Sequence, residues 1–187
     1  MIFIARSLSP ARIIGLTAFL FALVSCAIAW VRGRGNGPHP RRLAAVLTLL
    51  EAALLLDVVF NGRWLLHDML ANAAKVSSLY GDRSGPQHVA LALLGGAVAT
   101  GFGLTLWTCR GRPGAALAAC GGILSLCCWC VEVISLHGVD SFLYQKVDGV
   151  MLVRLAWAAC SLMTGAGILW DTFAMRPRPR PNSAIPN

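Results

Sequence analysis

The sequence predicts an all-α membrane protein: a five-span transmembrane helical bundle with two short amphipathic helices at the outer interface. Three observations lead there. Of the 187 residues, 57% are hydrophobic and 13% are charged, giving a mean hydropathy of +0.67. A soluble domain of this length has too little interior to hide that much apolar surface. The apolar residues also gather into five solid runs, 13–31, 43–60, 89–107, 115–136 and 150–170. Each is long enough to cross ~30 Å of hydrocarbon at ~1.5 Å per residue. Finally, Arg, Gly and Pro punctuate the runs and none alternates polar with apolar, so helices rather than strands are expected to span. One transmembrane domain, 1–175, and a basic Pro-rich tail, 176–187, account for the chain.

The first run follows Arg6 and Arg12 and contains Leu23-Val24-Ser25-Cys26, which has the look of a lipoprotein-type signal. Cleavage before Cys26 would leave the following four-arginine loop outside, against the orientation rule, so the run is read as a retained span. That loop carries Arg32, Arg34, Arg41 and Arg42, and the second run after it carries Glu51 and Asp57.

A bend is expected at Asn61-Gly62. Beyond it, the segment 63–79 puts Leu65, Leu66, Met69, Leu70, Ala73 and Val76 on one side of a helix, with Arg63, His67, Lys75 and Ser78 opposite. That is the pattern of a helix lying in a membrane interface. The third run has a small-residue face of Gly96, Thr100 and Gly103. The fourth offers Gly121, Ser125 and Cys128, and the fifth Ser161 and Gly165; such faces let helices approach closely in lipid. Between the fourth and fifth runs, helical spacing puts His137, Asp140, Ser141, Tyr144 and Asp148 on one stripe, so a second short amphipathic helix is expected there rather than a plain turn.

Charge orients the bundle. With five spans, the loop at Arg32–Arg42, the loop at Arg110 and Arg112, and the tail with Arg176, Arg178 and Arg180 share one side. On the other side Asp68, Asp82, Asp140 and Asp148 offset the few cations. The positive-inside rule puts the arginine-only side in the cytoplasm and the N-terminus outside, although Arg6 and Arg12 oppose it. Trp30, Trp107 and Trp170 fall at the inner ends, where interfacial anchors belong. A plasma membrane of bacterial inner-membrane type is the expected location. The net charge of +8 is thus spent on orientation, and no nucleic-acid partner is expected.

The candidate site lies at the outer ends. Glu132 near the end of the fourth run, Arg154 near the start of the fifth and Asp57 near the end of the second share a depth. Charges in hydrocarbon demand partners, so Arg154 is expected to neutralise Glu132, Asp57 or both. Glu51 lies deeper, with no cation at its depth. Above the three charges come His67 and His137, so Asp57, Asn61, Glu132, His137, Tyr144 and Arg154 form the expected ligand-binding set. Were there catalysis, His67, Glu132, His137 and Asp140 would be the candidate acid–base groups. No spacing among them is a metal-ligand motif, and no metal site is assigned; no cofactor is identified.

All seven cysteines fall in or beside apolar runs, so no disulfide framework is implied. Cys127 and Cys130 make a Cys-x-x-Cys of the kind thiol–quinone oxidoreductases use, but the outer segments lack a shuttle pair. The leading expectation is a non-catalytic membrane protein that binds a small ligand, a lipid headgroup or a partner membrane subunit. A membrane-embedded His–carboxylate enzyme, with or without a metal, comes second, and thiol redox chemistry third.

Overall fold

The computed structural model describes residues 10–33, 38–76, 84–134 and 137–174. Its elements in order are α1 (Pro10–Arg32), α2 (Pro38–Phe60), α3 (Gly62–Val76), α4 (Ser84–Thr108), α5 (Pro113–Ile134), α6 (His137–Leu143), β1 (Lys146–Val147), β2 (Val150–Met151) and α7 (Leu152–Ala174). Five of these, α1, α2, α4, α5 and α7, are long and apolar enough to cross a membrane. The protein is therefore an integral membrane helical bundle. Its outward surface carries residues such as Leu49, 72% exposed, and Leu93, 70% exposed, which lipid accepts and water would not. Pro10, Pro38 and Pro113 each open a helix, where the missing N–H costs no hydrogen bond.

The core is made by α1, α2, α5 and α7. Glycine brings α5 and α7 into backbone contact. A Cβ on Gly114 would stand 2.5 Å from the amide nitrogen of Asp171, one on Gly167 2.5 Å from that of Ala118, and one on Gly121 2.6 Å from that of Thr164. Gly165 does the same for α1, against Phe21 and Ala22. One apolar cluster joins Cys26, Ala29, Ala44, Leu47, Ala118 and Ile168, and another joins Phe19, Leu54, Val153 and Trp157.

α4 packs on α5, with Gly101 against Ile123. The expected small-residue face of α4 is not its packing face: a Cβ at Gly95, Gly96 or Gly103 would meet nothing within 4 Å, and Thr100 bonds back to the carbonyl of Gly96.

At the arginine-rich end, Arg112 clasps Asp171, with Nε 3.2 Å from Oδ1 and a second, shorter contact from Nη2 to Oδ2. Arg32 lies over the Phe173 ring at 5.0 Å. The clasp neutralises Asp171, which is only 7% exposed, and α7 continues past the expected end at residue 170.

The other end departs from expectation in one respect. α6 stops at Leu143, and Lys146–Met151 form a two-stranded antiparallel hairpin in place of further helix. Asp148 and Gly149 turn it with φ of 50° and 81°, the double positive φ that a two-residue hairpin turn needs. Asp148 thus leaves the stripe that helical spacing assigned to it. The tail 176–187 lies outside the described residues.

Candidate functional site

The end of α2 sets the geometry. Asn61 takes the left-handed conformation at φ 55°, which Asn tolerates better than most side chains, and α3 turns off at once. Its carbonyl accepts the N–H groups of Trp64 at 3.1 Å and Leu65 at 3.4 Å. Asn61 is therefore the hinge of the bend. Although it stands four residues after Asp57, it does not share a helix face with it, because α2 has already ended at Phe60.

The bend folds the start of α3 back on Asp57. Asp57 Oδ1 accepts the backbone N–H of Arg63 at 2.7 Å, capping the first turn of α3, and Oδ2 lies 3.4 Å from the Arg63 guanidinium. A Cβ at residue 62 would fall 3.0 Å from Asp57 Oδ1, so Gly62 leaves room for the cap. The guanidinium also meets α5: Nε is 2.8 Å from Glu132 Oε2, on side chains 18% and 4% exposed. The N–H is not aligned on that oxygen, so the contact is a charge pair rather than a hydrogen bond. Arg63 further lies over the Trp157 ring, 5.8 Å from its centroid. The indole N–H of Trp157 sits beside the same Glu132 carboxylate without completing an aligned bond.

The expected counter-ion is thus corrected. Arg63, not Arg154, closes on both carboxylates, and Arg154 makes no ion pair within 4 Å among the described residues. Arg154 remains within electrostatic reach of Glu132 from the first turn of α7. Its charge offsets the carboxylate that Arg63 alone leaves in excess.

His67 has a defined task as well. Its Nδ1 is 3.2 Å from the carbonyl of Val133, and since a carbonyl can only accept, Nδ1 carries the proton. Gln87 Nε2 donates to the next carbonyl, Ile134, at 3.1 Å. Helix ends leave their last carbonyls without intrahelical partners, and here α3 and α4 supply side-chain donors to the end of α5. Trp64 meets the His67 ring edge-on at 6.1 Å.

The remaining candidates divide. Tyr144 packs against the cluster of Phe19, Leu54, Val153 and Trp157. His137 opens α6 and Asp140 lies within it, but both side chains lie outside the described residues. The cysteines are free thiols, with Cys127 and Cys130 half-buried on α5 inside the span. Among the described residues no three or more His, Cys, Asp or Glu converge as a metal site.

The structure therefore gathers Asp57, Glu132 and His67 at one end of the bundle together with residues that the sequence reading did not place in the site: Arg63, which it named only on the polar side of α3, and Trp157 and Gln87. Arg63 had a signal, since it begins the segment after a recognised bend and stands six residues from Asp57. Gln87 had none. Comparison of the chain with protein-family models, with curated proteins and with solved structures gives no match.

Proposed function

We propose that the protein is a non-catalytic membrane subunit whose charged cluster fixes α3 across the bundle end as a docking element for a partner membrane subunit. The closed state of the cluster carries this reading. The Arg63 charge is spent inward on Asp57 and Glu132, and His67 donates to Val133, so the polar face of α3 is committed to its own bundle. Its opposite face is not. Trp64, Leu65, Met69 and Leu70 are between 45% and 66% exposed, beside an α4 whose apolar length is almost wholly uncovered by the rest of the bundle. Because α3 and α4 donate to successive carbonyls of α5, these two surfaces adjoin. Small residues on α4 would let a partner helix approach closely.

A His–carboxylate enzyme would need His67 turned toward Glu132 or Asp57, and its Nδ1–H is engaged elsewhere. Lipid headgroups and small polar ligands compete as occupants. From the arginine distribution we also infer that this end of the bundle faces away from the cytoplasm, with the C-terminus inside.

A photo-crosslinking residue at Leu65 or Met69 in native membranes tests the docking role, with Leu49 on α2 as the lipid-facing control. A discrete protein adduct, the same from both α3 positions and missing from Leu49, is expected. Lipid adducts alone, equal at all three positions, would refute partner docking.

A further inference from the structure

A second polar group lies deep inside the bundle, away from the Arg63 cluster. Glu51 on α2, Ser125 on α5, and Ser161 and Thr164 on α7 are all 0% exposed. Both Glu51 oxygens, Ser125 Oγ and Ser161 Oγ have no aligned hydrogen-bond partner among the described residues. Thr164 donates to the carbonyl of Cys160 at 3.1 Å, which leaves the lone pairs of its own oxygen free.

Helix register brings these residues to one level. Gly121, a turn before Ser125, meets Thr164; Gly122 beside it meets Leu47 and Leu50, the neighbours of Glu51 on α2. The Ser161 and Thr164 hydroxyls flank the Glu51 carboxyl. Its titratable neighbours are Cys26 on α1 and Cys160 on α7, and the Gly121–Thr164 and Gly122–Leu50 contacts set Ser125, one turn further along α5, at the level of Glu51 and Ser161; no charged side chain from these helices reaches Glu51 among the described residues.

Buried polar atoms without partners are rare in folded proteins and call for an ion, a water or a role. A proton on Glu51 occupies one oxygen, whereas several oxygens here lack a partner. The donors are all oxygen, which suits a hard s-block cation over a thiophilic one. They hold a single formal negative charge, so a monovalent ion leaves the site neutral, and a divalent ion would strand a charge in hydrocarbon.

We propose that Glu51, Ser125, Ser161 and Thr164 form an intramembrane site for a small monovalent cation of sodium type. The ion binds as the Glu51 carboxyl releases its proton, so one positive charge replaces another and the bundle interior stays neutral. This site is separate from the docking surface and does not depend on it.

The test uses the purified full chain in detergent with dicyclohexylcarbodiimide, which attacks protonated carboxyls in apolar surroundings, and mass spectrometry to map the adduct to Glu51. Replacing choline chloride by NaCl at about 100 mM and constant pH should slow labelling of Glu51 about tenfold, as saturation of a site of about 10 mM affinity requires. Ser125→Ala and Ser161→Ala each keep the carboxyl and delete one oxygen. Each should raise the half-protecting sodium concentration by about tenfold, the effect of losing one polar contact. Sodium should also raise the Tm of the unaltered chain above its value in choline, and not that of Glu51→Gln. Equal labelling in the two salts, serine variants protected like the parent, or no adduct at Glu51 in either salt would each overturn the proposal.

Discussion

Arg63→Leu is the most searching perturbation of the charged cluster, because one side chain holds two carboxylates from two helices. The side chains are 18% exposed for Arg63, 11% for Asp57 and 4% for Glu132, so water can replace little of what is lost. Breaking a buried pair by removing one partner costs ~3 to 5 kcal/mol, and the lost face of Trp157 adds ~0.5 to 1 kcal/mol. Two effects reduce the sum. Glu132 can take up a proton once its cation is gone, and Asp57 keeps the backbone N–H of residue 63 whatever the side chain. A net loss of ~3 kcal/mol follows, at the low end of the buried-pair range.

Adding Glu132→Gln should return ~1 to 3 kcal/mol by removing the stranded charge. Asp57→Asn should return less, since the amide oxygen still caps α3. Arg154→Leu, with no ion pair within 4 Å among the described residues, should cost ~0 to 1 kcal/mol. The assay is a double-mutant cycle by reversible unfolding in detergent. The reasoning fails if Arg154→Leu costs as much as Arg63→Leu, or if Arg63→Leu and Glu132→Gln are strictly additive.

Two further outcomes are expected. In the same assay Gly114→Ala and Gly167→Ala should each destabilise by ~1 to 3 kcal/mol, because the new methyl meets backbone across the α5–α7 contact. Gly95→Ala and Gly96→Ala, facing open space, should be neutral or gain up to ~1 kcal/mol of helix propensity. For the orientation, a cysteine placed at the exposed Ser141 should react with a membrane-impermeant thiol reagent on intact cells; labelling only after the inner face is opened would reverse it.

The spans were legible because solid apolar runs between arginines, glycines and prolines allow little else in a bilayer. Helix α3 was legible for a related reason, its bend marked by Asn61-Gly62 and its amphipathic pattern clear after it. The hairpin at 146–151 was missed through a wrong period. Helical spacing from His137 was carried through Asp148, although Asp-Gly between Val147 and Val150 is a strong local signal for a two-residue β-turn. The end of α7 was missed because a lone Asp171 reads as the end of an apolar run until Arg112 is known to cover it. Small-residue faces were expected to pack on α4, α5 and α7, and those of α5 and α7 make close contact while that of α4 does not. Composition records that a close approach is allowed, and not which helix makes it.

The counter-ion was misassigned for a reason that bears on how the site works. Matching charges by depth considered only those inside the apolar runs, and on that count Arg154 is the sole cation at the level of Glu132. Arg63 enters from outside that set because one residue, Asn61, reverses the chain and returns the first turn of α3 to the end of α2. The same reversal aims the backbone N–H of Arg63 at one oxygen of Asp57 and its guanidinium at the other, so the cap and the ion pair form together. At ~100° per residue, moving the arginine one place along α3 would swing it out of the gap between Asp57 and Glu132 while leaving its depth almost unchanged. Depth is therefore the weaker determinant, and the helix bend the stronger. A substitution that straightens the bend at Asn61 should release the charges and the apolar face of α3 together, because a single turn positions both.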